Sequence, residues 1–159
     1  MLDSNRTIAL KIILFMLDEF NYALHLSAVE RVVLTVEITP LPNTPDIVTG
    51  VVNFHGTIIP VINIRKRFNL PEHEFQIEDQ LIIARTSKRL VAISVDSVTG
   101  VLELESSQLV DIESEFGYAK YLKGIAKVED KIILIHDLEL FLSLDEEKLI
   151  DEAMVTFVK

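Results

Sequence analysis

Gly50-Val-Val-Asn-Phe-His-Gly-Thr-Ile-Ile-Pro-Val-Ile-Asn-Ile64 aligns without a gap on Gly124-Ile-Ala-Lys-Val-Glu-Asp-Lys-Ile-Ile-Leu-Ile-His-Asp-Leu138. Each copy opens on a glycine. Two β-branched runs then face each other across a two-residue turn, His55-Gly56 in one copy and Glu129-Asp130 in the other, which is a hairpin signal. A polar residue, Asn63 or Asp137, closes each unit. A weaker match joins Tyr22–Val33 to Val91–Leu102, pairing Leu24 with Ile93, Leu26 with Val95, Val29 with Val98 and Val32 with Val101. The chain is therefore written twice, each time as hairpin, extended connection, hairpin. A repeat of about half the chain is too long for a solenoid unit. Two small similar β-barrels packed on one shared apolar core satisfy it, because closure removes unpaired strand edges and neither half buries much surface alone.

Working outward, Ile8–Leu17 and Tyr22–Leu26 read as strands about the turn Asp18–Asn21, and Val29–Val36 as a further strand. Pro40, Pro42 and Pro45 fix φ and lack donors, so Ile38–Pro45 is an extended connection. Arg65–Asn69 reads as one helical turn and Glu72–Asp79 as a polar loop. Leu81–Arg85 and Leu90–Val95 form another hairpin, Val98–Leu104 a strand, and Glu105–Tyr118 a polar loop. Asp137 is a candidate N-cap for a short helix reaching Leu144. An acidic helical tail follows over 145–159. The fold class is all-β with short helices: a single domain over 1–159, with approximate halves 15–85 and 86–145, between which strands can be exchanged.

Composition bounds the function. The 159 residues are 49% hydrophobic and 25% charged, ample for a core. A formal net charge of -10 argues against a phosphate backbone and against an anionic membrane surface, and leaves basic protein surfaces open as partners. The absence of cysteine excludes disulfides, thiolate catalysis and Cys-ligated zinc. The polar stretch Met1–Thr7 does not read as a signal peptide, and runs such as Ile12–Leu17 are too short to span a bilayer, so a soluble cytoplasmic protein without membrane insertion is expected.

The search for chemistry finds no site. His25, His55, His73 and His136 lack metal-ligand spacing, and no phosphate-binding or nucleophile-elbow motif is present. Nothing in the sequence suggests a histidine that activates Ser27, Ser94, Ser106 or Ser107. The carboxylates fall in turns and in the tail, as on a solvated face. No catalytic, metal or cofactor residues are expected.

Ile38-Thr-Pro-Leu-Pro-Asn-Thr-Pro45, Gly50-Val-Val-Asn53, Gly56-Thr-Ile-Ile-Pro-Val-Ile62 and Arg67-Phe68 together resemble the signature stretch of CheW-like domains. Val95-Asp-Ser-Val-Thr-Gly-Val101, Tyr121-Leu-Lys-Gly-Ile-Ala-Lys127, Asp137-Leu138 and Phe141-Leu-Ser143 extend the resemblance from about Ile8 to Glu147. The resemblance implies two five-stranded SH3-like barrels. It also implies a non-enzymatic adaptor without cofactor that joins the cytoplasmic tip of a chemoreceptor to the regulatory domain of a CheA-type histidine kinase. On that likeness Val29, Arg31, Val32, Val98 and Val101 line a receptor groove between the barrels, although the valines equally suit a strand core. Asn53, His55 and Gly56 occupy the family's turn, and Gly50 and Gly124 are structural glycines. The chain departs from the family pattern where Arg31 replaces a glutamate, His55 an arginine and Asn69 a glycine. The first two changes remove an ion pair, which a neutral His55 or Glu30 turned toward Arg31 could replace. A coupler, a decoy that binds one partner only, and a small β-barrel enzyme are the readings to separate.

Overall fold

A computed structural model describes residues 8–72, 74, 76–110 and 122–158, with the side chains of 156–158 excepted. His73, Tyr121 and the 111–118 part of the polar loop lie outside those residues. The strands are β1 (Ile8–Leu17), β2 (Phe20–His25), β3 (Val29–Leu34), β4 (Val48–Phe54), β5 (Thr57–Ile62), β6 (Gln80–Arg85), β7 (Leu90–Val95), β8 (Ser97–Glu105), β9 (Leu109–Val110), β10 (Leu122–Val128) and β11 (Lys131–His136). A short helix, α1 (Ile64–Arg67), follows β5, and α2 (Leu144–Val158) ends the described chain.

One sheet runs β8-β1-β2-β11-β10-β9 and the other β3-β6-β7-β5-β4. Leaving out the two-residue β9, the two orders are the same plan. β1 and β2 of the first correspond to β6 and β7 of the second, β8 to β3, and β11 and β10 to β5 and β4. The parallel pairings correspond as well, β2 with β11 and β7 with β5. Even the register irregularities recur, at Val48/Gly50 in one hairpin and Leu122/Gly124 in the other.

The sheets do not divide the chain as 15–85 and 86–145. Each sheet holds the first hairpin of one repeat and the last three principal strands of the other. β3 leaves the hairpin that precedes it and joins β6; β8 leaves its own hairpin and joins β1. The exchange is reciprocal, so both sheets draw on both repeats.

Alternation along the strands builds three apolar layers. Ile12, Leu14, Ala23, Leu104, Ala126, Ile133 and Ile135 fill the first barrel. Val52, Ile59, Val61, Leu81, Ile83 and Ala92 fill the second. The intervening positions, including Ile13, Phe15, Leu17, Leu24, Ile82, Val91, Ile93 and Val95, meet in the seam between the barrels. β1, β6 and β7 are thus apolar on both faces. They read in sequence as unbroken hydrophobic runs, as strands covered on two sides do.

α2 is started by a capping box: Glu146 N–H donates to Ser143 Oγ at 3.1 Å, and Ser143 N–H donates to a Glu146 carboxylate oxygen at 2.8 Å. Its buried face sets Ala153 and Met154 near Leu41, Val51 and Ile58. Its acidic character has a local use. Glu146 pairs with Arg67 at 2.6 Å, while Arg89 binds Glu147 at 2.8 Å and also pairs with Asp151.

Candidate partner-binding seam and the ties across it

Side chains paired in register share a face of the sheet. Val29 lies opposite Ala84 and Val32 opposite Ile82; Val98 lies opposite Phe15 and Val101 opposite Ile13. All four partners belong to the shared seam. The four valines therefore face the seam from its two outer strands, β3 and β8. Val29, Val32 and Val98 are half-buried against the core. Val101 is 57% exposed, and Leu34, two residues past Val32, is 70% exposed. Apolar surface is therefore exposed on the seam side of both outer strands.

Arg31 does not share that face. A register irregularity at Glu30 separates Val29 from Val32 by an odd number of residues while keeping both on the seam. Arg31, opposite Ile83, turns to the other face of β3 and is exposed at the rim. Glu30 does not turn to Arg31 either; it pairs with Arg85 at 3.2 Å. The position equivalent to Arg31 in β8 is Gly100, at φ 146°, in the matching irregularity.

His55 and Gly56 occupy a tight turn with φ of 51° and 87°. Gly56 N–H donates to Asn53 Oδ1 at 2.8 Å, which holds the turn closed. The His55 ring lies edge-on to Phe54, with centroids 4.4 Å apart, and is exposed. His55 belongs to the β4–β5 turn, while Arg31 lies on the opposite outer strand of the same sheet. Gly50 is crowded: a Cβ there would stand 2.4 Å from the Thr39 carbonyl oxygen. At Gly124 the nearest atom is Ile135 Cδ1 at 3.8 Å, so neither space nor φ requires glycine.

Sequence reasoning missed a buried and densely bonded charge. Arg65, at the start of α1, is 7% exposed. It donates to both Asp18 oxygens at 3.1 Å, to both Asp96 oxygens at 2.9 and 2.8 Å, and to the Pro71 carbonyl at 3.0 Å. Burial alone would lower its pKa; the bonds to Asp18 and Asp96 outweigh burial and raise it, so it stays charged. Asp18 sits in the β1–β2 turn and Asp96 between β7 and β8, so the guanidinium ties the two barrels. The gapless alignment pairs Arg65 with Glu139, and Asp18 with Ser87 once the hairpins are matched. Glu139 accepts from Ser87 N–H at 2.6 Å and from Ser87 Oγ at 2.9 Å. The second tie therefore has the same topology with the opposite charge.

Of the other described histidines, one is packed in an aromatic cluster and one is half-buried. His136 stacks on Phe68 with centroids 4.1 Å apart, in a cluster with Tyr22 and Phe141. His25 is half-buried beside Lys123; burial and then that lysine lower its pKa, against the opposing pull of Asp137. Among the described residues, no trio of His, Asp or Glu is placed to hold a metal. None of their helices is long and apolar enough to cross a membrane.

Two like barrels share one apolar seam, with charged ties across it and apolar side chains exposed at its outer strands. The profile of the CheW-like domain matches residues 11–146, and the chain belongs to that family. It is 33% identical over 147 residues to the chemotaxis protein CheW of Thermotoga maritima, covering 91% of this chain and 90% of that one. It is 28% identical over 153 residues to chemotaxis protein CheW of Klebsiella aerogenes, covering 94% and 92%. The crystal structure of the scaffolding protein TtCheW from Thermoanaerobacter tengcongensis superposes with a TM-score of 0.78 at 30% identity, over 86% of this chain and 94% of that one. The chain is thus a CheW-type chemotaxis scaffold, not an enzyme, and its sheets are the two SH3-like barrels of that fold.

Proposed function

We propose that this scaffold couples the cytoplasmic tip of a chemoreceptor to the regulatory domain of a CheA-type histidine kinase, acting in the cytoplasm at receptor arrays. The observation that carries the reading is the apolar seam edge, where Val29, Val32 and Val98 are half-buried and Leu34 and Val101 stand exposed. Small apolar walls suit the apolar stripe of an amphipathic receptor helix. Arg31, on the other face of β3, is not part of that surface. A coupler needs a second surface. The cleft of about 640 Å³ walled by Val36, Ile38, Pro40 and Ile77 offers one for the kinase.

Reconstitution with the receptor and kinase encoded in the same cell tests this. The full chain is expected to hold both in one complex. Val101→Asp should release the receptor while leaving the kinase bound. Retention of one partner only would identify a decoy, and retention of neither would end the reading.

A further inference from the structure

The two ties across the seam are unequal in what they hold. Arg65 grips the turn of the opposite hairpin through Asp18, and also the crossover into β8 through Asp96, one residue before that strand. Asp96 Oδ2 in turn accepts from Asp18 N–H at 2.6 Å. The residue equivalent to Asp96 in the other repeat is Ser27, in the single 3₁₀ turn that leads into β3. Glu139 binds Ser87 but makes no bond to Ser27 among the described residues. One crossover is clamped by a buried cation, and among the described residues the other has no such clamp.

The strands differ in the same sense by an independent measure. β8 pairs with β1 at eight register positions, and buries Leu104 completely. β3 pairs with β6 at five positions and has no buried residue. The ion pair to that neighbour, Glu30 with Arg85, leaves the two side chains 50% and 58% exposed, where such pairs contribute little. Few buried contacts and short ladders mark the low-stability end of a fold.

We propose that β8 is the fixed wall of the seam groove and β3 its moving wall, with Arg65 as the anchor about which the groove changes width. The assignment of these strands as groove walls rests on the coupling function proposed above; the difference in anchoring does not.

Amide hydrogen exchange on the full chain tests it, after correction for intrinsic rates. Amides of 29–34 are expected to exchange about tenfold or more faster than those of 98–103. Equal or reversed protection overturns the proposal. Asp96→Ser should bring β8 up toward the rate of β3. Transplanting the clamp with Ser27→Asp, Ser87→Asp and Glu139→Arg should slow β3 while leaving β8 unchanged. If the transplanted chain does not fold, the Asp96→Ser result decides: unchanged β8 protection there overturns the proposal. The transplanted chain is also titrated with a receptor-tip peptide. Slowed β3 exchange with altered affinity supports the whole inference. Slowed exchange with wild-type affinity keeps the anchoring and removes the groove.

Discussion

An added methyl at Gly50 would sit 2.4 Å from the carbonyl oxygen of Thr39 and 2.9 Å from Ile38 Cγ2. Thr39 cannot retreat easily, because its N–H donates to Val51 O at 2.9 Å and its carbonyl accepts from Val51 N–H at 2.8 Å. Gly50→Ala should therefore lower stability by about 1–3 kcal/mol, as overpacking against fixed atoms does. Gly124→Ala should be neutral or add about 0.4–1 kcal/mol, because alanine narrows the unfolded ensemble where the native conformation accepts it. Urea midpoints of the two variants check both; equal losses would contradict this account of the pair. In sequence the two glycines look equivalent, each opening its copy of the repeat. The difference is invisible there because the crowding atom comes from the proline-rich connection, whose approach to β4 has no local signal. Arg31 is a second case. Its place beside Val29 and Val32 suggested one lining, but one irregularity at Glu30 reverses the parity of the strand.

At the scale of elements, hairpins and caps were legible because their signals are local. Asn63 accepts from Lys66 N–H at 3.1 Å and Asp137 from Glu139 N–H at 3.0 Å, so the two aligned polar residues start the two short helical turns. The acidic tail was legible as a helix but not as a docked one, since Arg67 and Arg89 lie far from it in sequence. Its attachment depends on pH. Burial would raise the Glu146 pKa, but the bond from Ser143 N–H and the pair with Arg67 outweigh burial and lower it. A carboxylate with a depressed folded pKa contributes stability that is present above its unfolded value, about 4.3, and is lost as pH falls through the folded value. Thermal melts should therefore show Glu146→Gln less stable than the wild type at neutral pH, with the gap closing as pH falls below about 4. A gap that persists unchanged at pH 3 would mean that the glutamate acts by shape and not by charge.

For the whole molecule, the duplicated plan and the shared core followed from the repeat, which also left room for strand exchange but did not identify β3 and β8 as the strands exchanged. Alignment shows which strands are alike and not which sheet each joins. The exchange has an energetic consequence. Each barrel contains strands from both repeats, and the hairpins β1–β2 and β6–β7 present one face to their own barrel and the other to the seam. Opening either barrel would expose the seam face of the other, so the chain should unfold as one cooperative unit. Ile93, fully buried in the seam, is the probe. Ile93→Ala should cost about 2–5 kcal/mol from lost burial and the cavity left behind. Although Ile93 belongs to the second sheet, amides around Ile133 in the first barrel should lose protection by the same factor as those around Ile59 in the second. Exchange measured near the global unfolding limit reads this directly. Full protection at Ile133 with loss at Ile59 would show two independently stable barrels, and would mean that the seam joins the barrels without making them one folding unit.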